Sequence, residues 1–515
     1  MSRRFSVGLD FGTDSARALL VEVDTAAEVD STVHRYQHGV LEHTMPSGDP
    51  LPPRWALQHP QDYLDALADL LAWSACQSAR LGGEVLAIGV SFTSCTVLPT
   101  TTTGTPLAML PRFENNPHAY VKLWKHHAAE PYARRITRDR PSFLERYDWH
   151  TSSEWSLAKA WQTMVEAPEV WAAADRWIDA GDWLVWQLVG HERRSASQAG
   201  YKNHWQPSGG GYPSHAALDA LHPGLSGWRD KLDGPYPLAS RAGTLTGTWA
   251  RRVELSDKIP VAVAAVDSAA AVPGTDVRGE GVLVVVLGTS TCHLSLSRHA
   301  HPAPGVESVV AGGAVPGFYD YSTGQSATGD MLGWLVRTLA WAGAREDALF
   351  DRLNRGLTSL PGPTGVSVLD WWNGCRTPLA DATLTGRIEG LKTTTSPLQI
   401  YAAMLESAAY GTRLALELHE RVNGTITEIR ATGGLAQQPA IMQRYADVLG
   451  RQVRASTTRH GSARGAACYG AVAAGVELPQ TLRFNDYEPE DAERYQPAYQ
   501  RYRDSTEMAQ QSSED

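Results

Sequence analysis

Short apolar runs at the start of the chain alternate with turns and with one amphipathic segment. Residues 5–10 have the pattern of a buried strand, and residues 17–23 that of the return strand of a hairpin. Residues 31–55 are polar and rich in proline and glycine, which predicts a long loop. Helical spacing of apolar residues predicts a helix over 60–77, and 85–90 predicts another buried strand. This order of elements is typical of an α/β domain.

A similar pattern starts again in the second half, after a helix-rich aromatic region at 118–205 and a loop at 206–214. Residues 259–266 predict a strand that ends at Asp267, and residues 281–288 predict a second strand. The elements predicted further along are a long helix at 400–422, a strand at 426–432 and a helix at 441–450. Each half therefore opens with a strand that runs into a glycine-containing turn, which indicates a weak internal duplication.

The length of 515 residues and the 43% hydrophobic content predict two domains, since one domain seldom grows so large. We place the boundary near residue 257, which gives domains at 1–257 and 258–490. Residues 491–515 are charged and polar, and we predict a frayed polar tail there.

The charge and the cysteines exclude several classes of function. A net charge of -10 without a block of lysine or arginine argues against nucleic acid and anionic membranes as partners. Five scattered cysteines predict neither disulfides nor a zinc site, and a reducing cytoplasm is the expected location. The most apolar stretch, 282–287, is far too short to span a bilayer.

The first candidate site is the turn Asp10-Phe-Gly-Thr-Asp-Ser15. Gly12 allows the backbone to approach a phosphate, Thr13 and Ser15 offer hydroxyl groups, and successive N–H groups can form an anion nest. Asp10 could hold magnesium through water, because a hard cation prefers carboxylate oxygen. The alternative is an ordinary hairpin turn in which Asp10 caps the backbone.

Two further turns suit a nucleotide. Gly288-Thr-Ser-Thr291 follows an apolar strand and resembles a second phosphate-binding turn, with Gly288, Thr289 and Ser290 as candidates. In Ala431-Thr-Gly-Gly434 the adjacent glycines Gly433 and Gly434 would admit a flat ligand such as adenine. Ordinary turns remain the alternative for both.

Asp267 is the candidate catalytic residue. A carboxylate at the carboxyl end of a strand, followed by small residues, is well placed to act as a general base. The alternative is a helix N-cap. The chain has no P-loop lysine and no protein-kinase motif, so two facing turns would have to bind the phosphates.

Together these four elements, in this order, resemble the FGGY carbohydrate kinases. Within that family the chain most resembles the L-ribulokinases, in segments such as Leu51–Tyr63, Ser152–Trp155 and Gly324–Asp330. The resemblance implies an α/β, two-domain actin-like (ribonuclease H-like) ATPase fold with a nucleotide and sugar cleft between the domains. It also implies ATP and Mg²⁺ as cofactors, a small-molecule sugar as substrate and a possible homodimer.

The resemblance implies roles for individual residues. Asp267 would take the proton of the attacking sugar hydroxyl, and Asp10 would position the magnesium ion. Residues expected to contact the sugar are Ser94, Lys202, Asp267, Ser322 and Gln325.

Three departures from the family pattern concern the substrate and the nucleotide. Ribulokinases usually carry Asp where this chain has Ser91, and Glu where it has Ser322. The loop after Gly434 is one residue shorter than usual. A serine offers fewer acceptors than a carboxylate, so phosphorylation of L-ribulose to L-ribulose 5-phosphate stands beside other hypotheses. These are a kinase of another pentulose or pentitol, a non-catalytic binding relic, and an actin- or chaperone-like ATPase.

Overall fold

The computed structural model of the protein describes residues 2–147, 149–207, 210–301, 303–340, 343 and 345–514. In chain order the strands are β1 (Arg3–Phe11), β2 (Ser15–Glu22), β3 (Glu28–Arg35), β4 (Leu57–Gln58), β5 (Gly83–Phe92), β6 (Val97–Thr100), β7 (Val121–Lys122), β8 (Arg176–Asp179), β9 (Arg241–Thr244), β10 (Pro260–Ala262), β11 (Ala265–Val266), β12 (Val282–Leu287), β13 (Thr291–Ser297), β14 (Ser308–Ala311), β15 (Tyr319–Gln325), β16 (Ser367–Leu369), β17 (Arg387–Glu389), β18 (Glu428–Thr432), β19 (Val453–Ser456) and β20 (Phe484–Tyr487).

In chain order the helices are α1 (Pro60–Arg80), α2 (Glu130–Asp139), α3 (Ser156–Glu166), α4 (Pro168–Ala173), α5 (Ala180–Val189), α6 (Ala196–Gly200), α7 (His215–Leu221), α8 (Gly227–Asp230), α9 (Gly247–Val253), α10 (Asp267–Gly274), α11 (Thr328–Ala340), α12 (Glu346–Gly356), α13 (Pro397–Asn423), α14 (Pro439–Leu449), α15 (Gly461–Ala473) and α16 (Ala492–Glu514). None of the helices in the described ranges is long and apolar enough to cross a membrane.

Two large sheets of related topology organise the chain. The first has the order β3-β2-β1-β5-β10-β9, with β11 also pairing with β5, and the second has the order β14-β15-β13-β12-β18-β19-β20. In each sheet an antiparallel hairpin, β1–β2 or β12–β13, is followed by a parallel neighbour, β5 or β18. This repeat confirms the α/β class and supports the duplication predicted from the sequence. We call the two halves built around these sheets the first and the second lobe.

Both lobes have an apolar core on the faces of their sheets. Helix α1 begins after His59, whose side chain accepts a hydrogen bond from the backbone N–H of Gln61, and it buries Tyr63, Leu67 and Leu70 against the first sheet. In the second lobe the long helix α13 begins with a capping box between Ser396 and Gln399. These caps satisfy N–H groups that a helix end leaves free.

Helices α10 and α15 pack against each other and α15 packs against the first sheet, at distances that only glycine allows. A Cβ atom at Gly8 would lie 1.8 Å from the carbonyl oxygen of Ala463, and one at Gly465 would lie 1.7 Å from that of Ala270. The apolar pattern did not predict α15, because a helix of small residues has little hydrophobic periodicity.

Four of the predictions made from the sequence differ from the structure or stay open. The polar segment 31–55 is partly strand, since β3 extends to Arg35. The predicted frayed tail is wrong: α16 occupies it, because Tyr495, Tyr499 and Tyr502 recur at helical spacing and are buried. The domain boundary at 257 stays a prediction, and the strands that follow it, β10 and β11, pair with β5 of the first sheet. The predicted loop at 206–214 includes residues 208 and 209, which lie outside the described residues.

Candidate active site

An open cleft of about 1320 Å³ lies between the two lobes. The turns at the ends of β1, β5, β12 and β18 all face it, as does the start of α10. The sequence-predicted residues that line the cleft are Asp10, Gly12, Thr13, Ser15, Ser94, Lys202, Asp267, Gly288, Thr289, Ser290, Ser322, Gly433 and Gly434. The structure therefore brings together nearly all of the residues selected from sequence.

The turn after β1 is closed by a hydrogen bond from the N–H of Gly12 to the carbonyl of Ser15, at 3.0 Å. The Thr13 hydroxyl accepts a hydrogen bond from the indole N–H of Trp124 at 3.1 Å. The side chain of Gln58 donates to the Thr13 carbonyl at 2.5 Å. Because both oxygens of Thr13 act as acceptors, the hydroxyl hydrogen remains available for an anion such as a phosphate.

Asp10 lies at the end of β1 and is almost fully buried. Its Oδ1 accepts a hydrogen bond of 2.9 Å from the hydroxyl of Ser91, which is its partner in the β1–β5 register. Its Oδ2 lies 3.3 Å from Nη1 of Arg17. Ser91 is itself fully buried and does not line the cleft, so its side chain contacts Asp10 and not the open space of the cleft.

Asp267 begins α10 directly after β11, a strand of the first sheet, and lines the cleft. One of its oxygens accepts a hydrogen bond from the N–H of the adjacent Ser268 at 2.7 Å. Asp267 is the first residue of the helix and Val266 is its N-cap, so the alternative interpretation of Asp267 as an N-cap is wrong. Burial, with a further contribution from the negative charge of Asp10, raises the pKa of Asp267 to about 7. A carboxylate with that pKa can accept a proton near neutral pH.

The second lobe presents uncharged turns. Gly288 donates its N–H to the carbonyl of Ser290 at 3.0 Å and thereby closes the hairpin between β12 and β13. Gly433 has φ of 101°, and a Cβ there would lie 2.4 Å from the carbonyl oxygen of Leu287. Gly434 has open space around its Cβ position. One glycine is needed by the backbone, whereas the other leaves room that a flat ligand can fill.

Ser94 and Lys202 of the first lobe, which the resemblance predicts to contact the sugar, both line the cleft with polar side chains. The hydroxyl of Ser94 is buried without a hydrogen-bond partner among the described residues, which is costly unless a ligand supplies one. The ammonium group of Lys202 lies 2.5 Å from Glu154 and 3.0 Å from Glu307. Burial opposes its charge, but these two carboxylates outweigh that effect and raise the pKa of Lys202.

The prediction that Gln325 contacts the sugar is not supported, because its side chain does not line the cleft. Its amide donates to Asp370 at 2.7 Å and its carbonyl oxygen accepts from Thr412 at 3.1 Å, within the core of the second lobe. The reason is strand geometry: Ser322 and Gln325 are three residues apart on β15, and alternate side chains of a strand point to opposite faces.

Several cleft residues were not predicted. Arg17, Glu307 and Arg376 line the cleft, as do residues 459–462 at the start of α15. The position of Arg17 on the return strand, paired with Asp10, was the one available signal. Glu307 and Arg376 lie in segments without a motif.

A divalent cation fits this site only if its ligands come mainly from elsewhere. In the described part of the chain no group of three or more His, Cys, Asp or Glu side chains could hold a metal. Asp10 offers one carboxylate that already has Ser91 and Arg17 as partners. This arrangement suits Mg²⁺, which keeps several waters and is often held by one or two carboxylates and the phosphates of a substrate.

The chain is similar to known carbohydrate kinases. The family model "FGGY family of carbohydrate kinases, C-terminal domain" matches residues 283–474. The chain is 39% identical over 492 residues to the ribulokinase of Geobacillus thermodenitrificans, which covers 93% of this chain and 87% of that protein. It is 38% identical over 492 residues to the ribulokinase of Mycolicibacterium smegmatis, covering 92% and 86%.

Solved structures of low sequence identity share the fold. The xylulose kinase from Rhodospirillum rubrum superposes with a TM-score of 0.79 at 21% identity and covers 98% of both chains. A xylulose kinase from Lactobacillus acidophilus superposes with a TM-score of 0.80 at 14% identity, again over 98% of both chains. These matches, with the two related sheets, confirm the predicted two-lobed, actin-like α/β fold.

Proposed function

Because the chain belongs to the FGGY family of carbohydrate kinases, we propose that it transfers the γ-phosphoryl group of ATP to L-ribulose, giving L-ribulose 5-phosphate. The observation that carries the proposal is Asp267, a carboxylate with a pKa of about 7 in the cleft between the phosphate-type turns of both lobes. The ribulokinases to which the chain is similar over nearly its whole length support ribulose as the sugar.

In the proposed reaction Asp267 accepts the proton of the attacking sugar hydroxyl. The sugar oxygen forms a bond to the γ-phosphorus, while the bond from that phosphorus to the bridging oxygen of ADP breaks and ADP keeps the electron pair. Ser94 and Lys202 orient the sugar through the unpartnered hydroxyl and the ammonium group. This division of work suits phosphoryl transfer, in which positioning and charge stabilisation dominate.

The nucleotide in this proposal contacts turns of both lobes. We propose that Gly12, Thr13 and Ser15 contact the phosphates from one side and Gly288, Thr289 and Ser290 from the other, with Gly433 and Gly434 beside the adenine. Asp10 would hold a Mg²⁺ ion, which supplies positive charge against the phosphate oxygens.

A cytoplasmic location and a homodimer stay predictions. The five cysteines are free thiols, which supports a reducing compartment.

The test is a coupled ADP-release assay with magnesium and ATP over L- and D-ribulose, xylulose, ribitol, arabinitol, xylitol and glycerol. We expect the highest kcat/KM with L-ribulose. A higher value with another polyol would keep the kinase and change the substrate. Silence across the panel while ATP still binds would contradict the proposal and support the non-catalytic alternative.

A further inference from the structure

We propose that Glu307 binds a hydroxyl group of the sugar and thereby helps to select the substrate. This inference rests on the proposed function, because it concerns the sugar end of the same cleft. Nothing in the sequence motifs points to Glu307, and the argument comes from its position, its partners and its unused acceptor capacity.

The position of Glu307 is fixed by the second sheet. It immediately precedes β14, and its backbone N–H donates to the carbonyl of Ser322 at 3.0 Å. The next residue, Ser308, pairs directly with Ser322 in the β14–β15 register. All three residues line the cleft. Glu307 therefore brings a carboxylate to the part of the cleft where Ser322 offers only a hydroxyl.

Glu307 belongs to a buried group of four charges that joins the lobes, which we call the interlobe quartet: Glu154 and Lys202 from the first lobe, and Glu307 and Arg376 from the second. Each carboxylate lies between the two cations. The pKa of Lys202 and that of Arg376 are both raised, since the two carboxylates outweigh the effect of burial. Both cations thus stay charged, and the quartet has no net charge.

The two carboxylates of the quartet differ in the number of their oxygens that accept a hydrogen bond or ion pair. Glu154 accepts a hydrogen bond from Lys202 on one oxygen at 2.5 Å and from Arg376 on the other at 3.1 Å. The side chain of Glu307 makes only ion-pair contacts, at 3.0 Å to Lys202 and 3.6 Å to Arg376, both through Oε1. Both contacts are made to the same oxygen, and no side chain in the described part of the chain donates a hydrogen bond to Oε2 of Glu307.

This difference decides which carboxylate can bind a ligand. Glu154 has a donor on each oxygen and does not line the cleft, whereas Glu307 does line it and has free acceptor positions. A carboxylate accepts two or more donors, and a hydrogen bond from a neutral hydroxyl to an ionised acceptor is among the stronger ones. A sugar hydroxyl placed beside Lys202 is the donor that this arrangement suits.

A purely structural role, in which the quartet only holds the lobes together, predicts something different. Glu154 and Glu307 would then be equivalent, because each contacts one cation of its own lobe and one cation of the other lobe. Glu154→Gln is therefore the matched comparison for Glu307→Gln: both remove one negative charge from the same quartet without a large change in volume.

The experiment measures sugar binding by calorimetry without ATP, so that it does not depend on turnover. We expect Glu307→Gln to weaken binding of the preferred sugar about 10- to 100-fold, the range for a lost hydrogen bond to a charged group. Glu154→Gln should weaken it by about threefold or less, although both variants should lower Tm. The ADP-release assay on the wild-type chain separately tests the proposed function.

Deoxy analogues of the sugar and a second substitution test the contact itself. Removal of the hydroxyl that Glu307 accepts should weaken binding to the wild-type chain and to Glu154→Gln, but not further to Glu307→Gln. Addition of Ser322→Glu to Glu307→Gln should recover at least part of the affinity. Equal losses for the two glutamine variants, no analogue with this behaviour, or a wild-type chain that binds no sugar of the panel would each overturn the proposal.

Discussion

The two lobes have the same hairpin at the cleft but place different chemistry on it. In the first lobe Gly12 closes the turn after β1, and in the second lobe Gly288 closes the turn after β12 with a hydrogen bond of the same length, 3.0 Å. Two residues before each glycine the lobes diverge, since the first has Asp10 and the second has Val286.

The helices that follow the last parallel strands diverge in the same way. Helix α10 of the first lobe begins at Asp267, whereas α15, which follows β19 of the second sheet, begins at Gly461. The duplication thus supplies two equivalent sets of turns, and the carboxylates proposed for the chemistry occur in only one of them. Under the proposed function, the shared topology would position the ligands and the unequal charge would place the general base in the first lobe.

Removal of the carboxylate of Asp267 should have the largest effect. We expect Asp267→Asn to lower kcat about 100- to 10,000-fold, the range for loss of a positioned general base, with little change in ATP affinity. The measurement is steady-state ADP release with a separate ATP-binding titration. Asp14→Asn, which changes an exposed acid in the first turn, is the control and should cost less than tenfold. A kcat within tenfold of wild type for Asp267→Asn would rule out the assigned role.

The pH dependence should follow the pKa of Asp267. Because this group must be deprotonated to accept a proton and its pKa is about 7, kcat/KM for the sugar should be constant above pH 8. It should be about 30-fold lower at pH 5.5, where only a few per cent of the group is ionised. Direct quantification of the sugar phosphate avoids coupling enzymes at low pH. A flat profile from pH 5.5 to 8.5 would contradict the assignment.

The raised pKa of Asp267 should also make the stability of the protein depend on pH. Stability should fall as the pH rises, whereas activity should increase. The folded pKa of Asp267 lies above its usual 3.8, so the folded chain retains a proton that the unfolded chain releases between about pH 4 and 7. The free energy of unfolding should therefore fall as the pH rises through that window. Asp267→Asn has no carboxyl group to ionise at this position, so its free energy of unfolding should not fall in this window. Its Tm should therefore exceed that of wild type at pH 8 and match it near pH 4.

Substitutions at the two adjacent glycines of the second lobe should have different effects, because the backbone requires Gly433 whereas Gly434 leaves space for a ligand. Gly434→Ala adds a Cβ in open space with helical φ, so Tm should be unchanged while KM for ATP rises about tenfold if adenine occupies that space. Gly433→Ala forces alanine into φ of 101° and against Leu287, so Tm itself should fall by about 5 °C or more. An unchanged KM for ATP in Gly434→Ala would place the adenine elsewhere.

Local motifs predicted the parts of this site that depend on local backbone geometry. The strand-to-turn segments at Asp10, Gly288 and Gly433 could be recognised because a few neighbouring residues fix each turn. The interlobe quartet could not be predicted in this way, since the contacts of Glu154 with Arg376 and of Glu307 with Lys202 form only when the two lobes fold against each other. Apart from Lys202, which the family resemblance selected, the charged residues of the quartet also look like ordinary surface charges in sequence.

Two predictions that failed, the one for Gln325 and the one for the C-terminal tail, could have been avoided from the spacing of residues in the sequence. Ser322 and Gln325 could not both face the cleft from one regular strand, so the period of two already excluded one of them. The tail was assigned from its polar composition, although the tyrosines in α16 have the spacing of a buried helix face.

The smallest effect concerns the two serines at the end of β5, which a family comparison alone would both assign to the sugar pocket. Ser91→Ala removes a hydrogen bond to Asp10 while Arg17 remains, so we expect kcat to fall about threefold with KM for the sugar unchanged. Ser94→Ala removes a buried hydroxyl that has no protein partner, so KM for the sugar should rise about three- to tenfold with kcat nearly constant. Steady-state kinetics with both substrates varied distinguishes the two. If Ser91→Ala raised the sugar KM instead, the side chain at position 91 would act on the sugar and the departure from the family pattern there would bear directly on substrate choice.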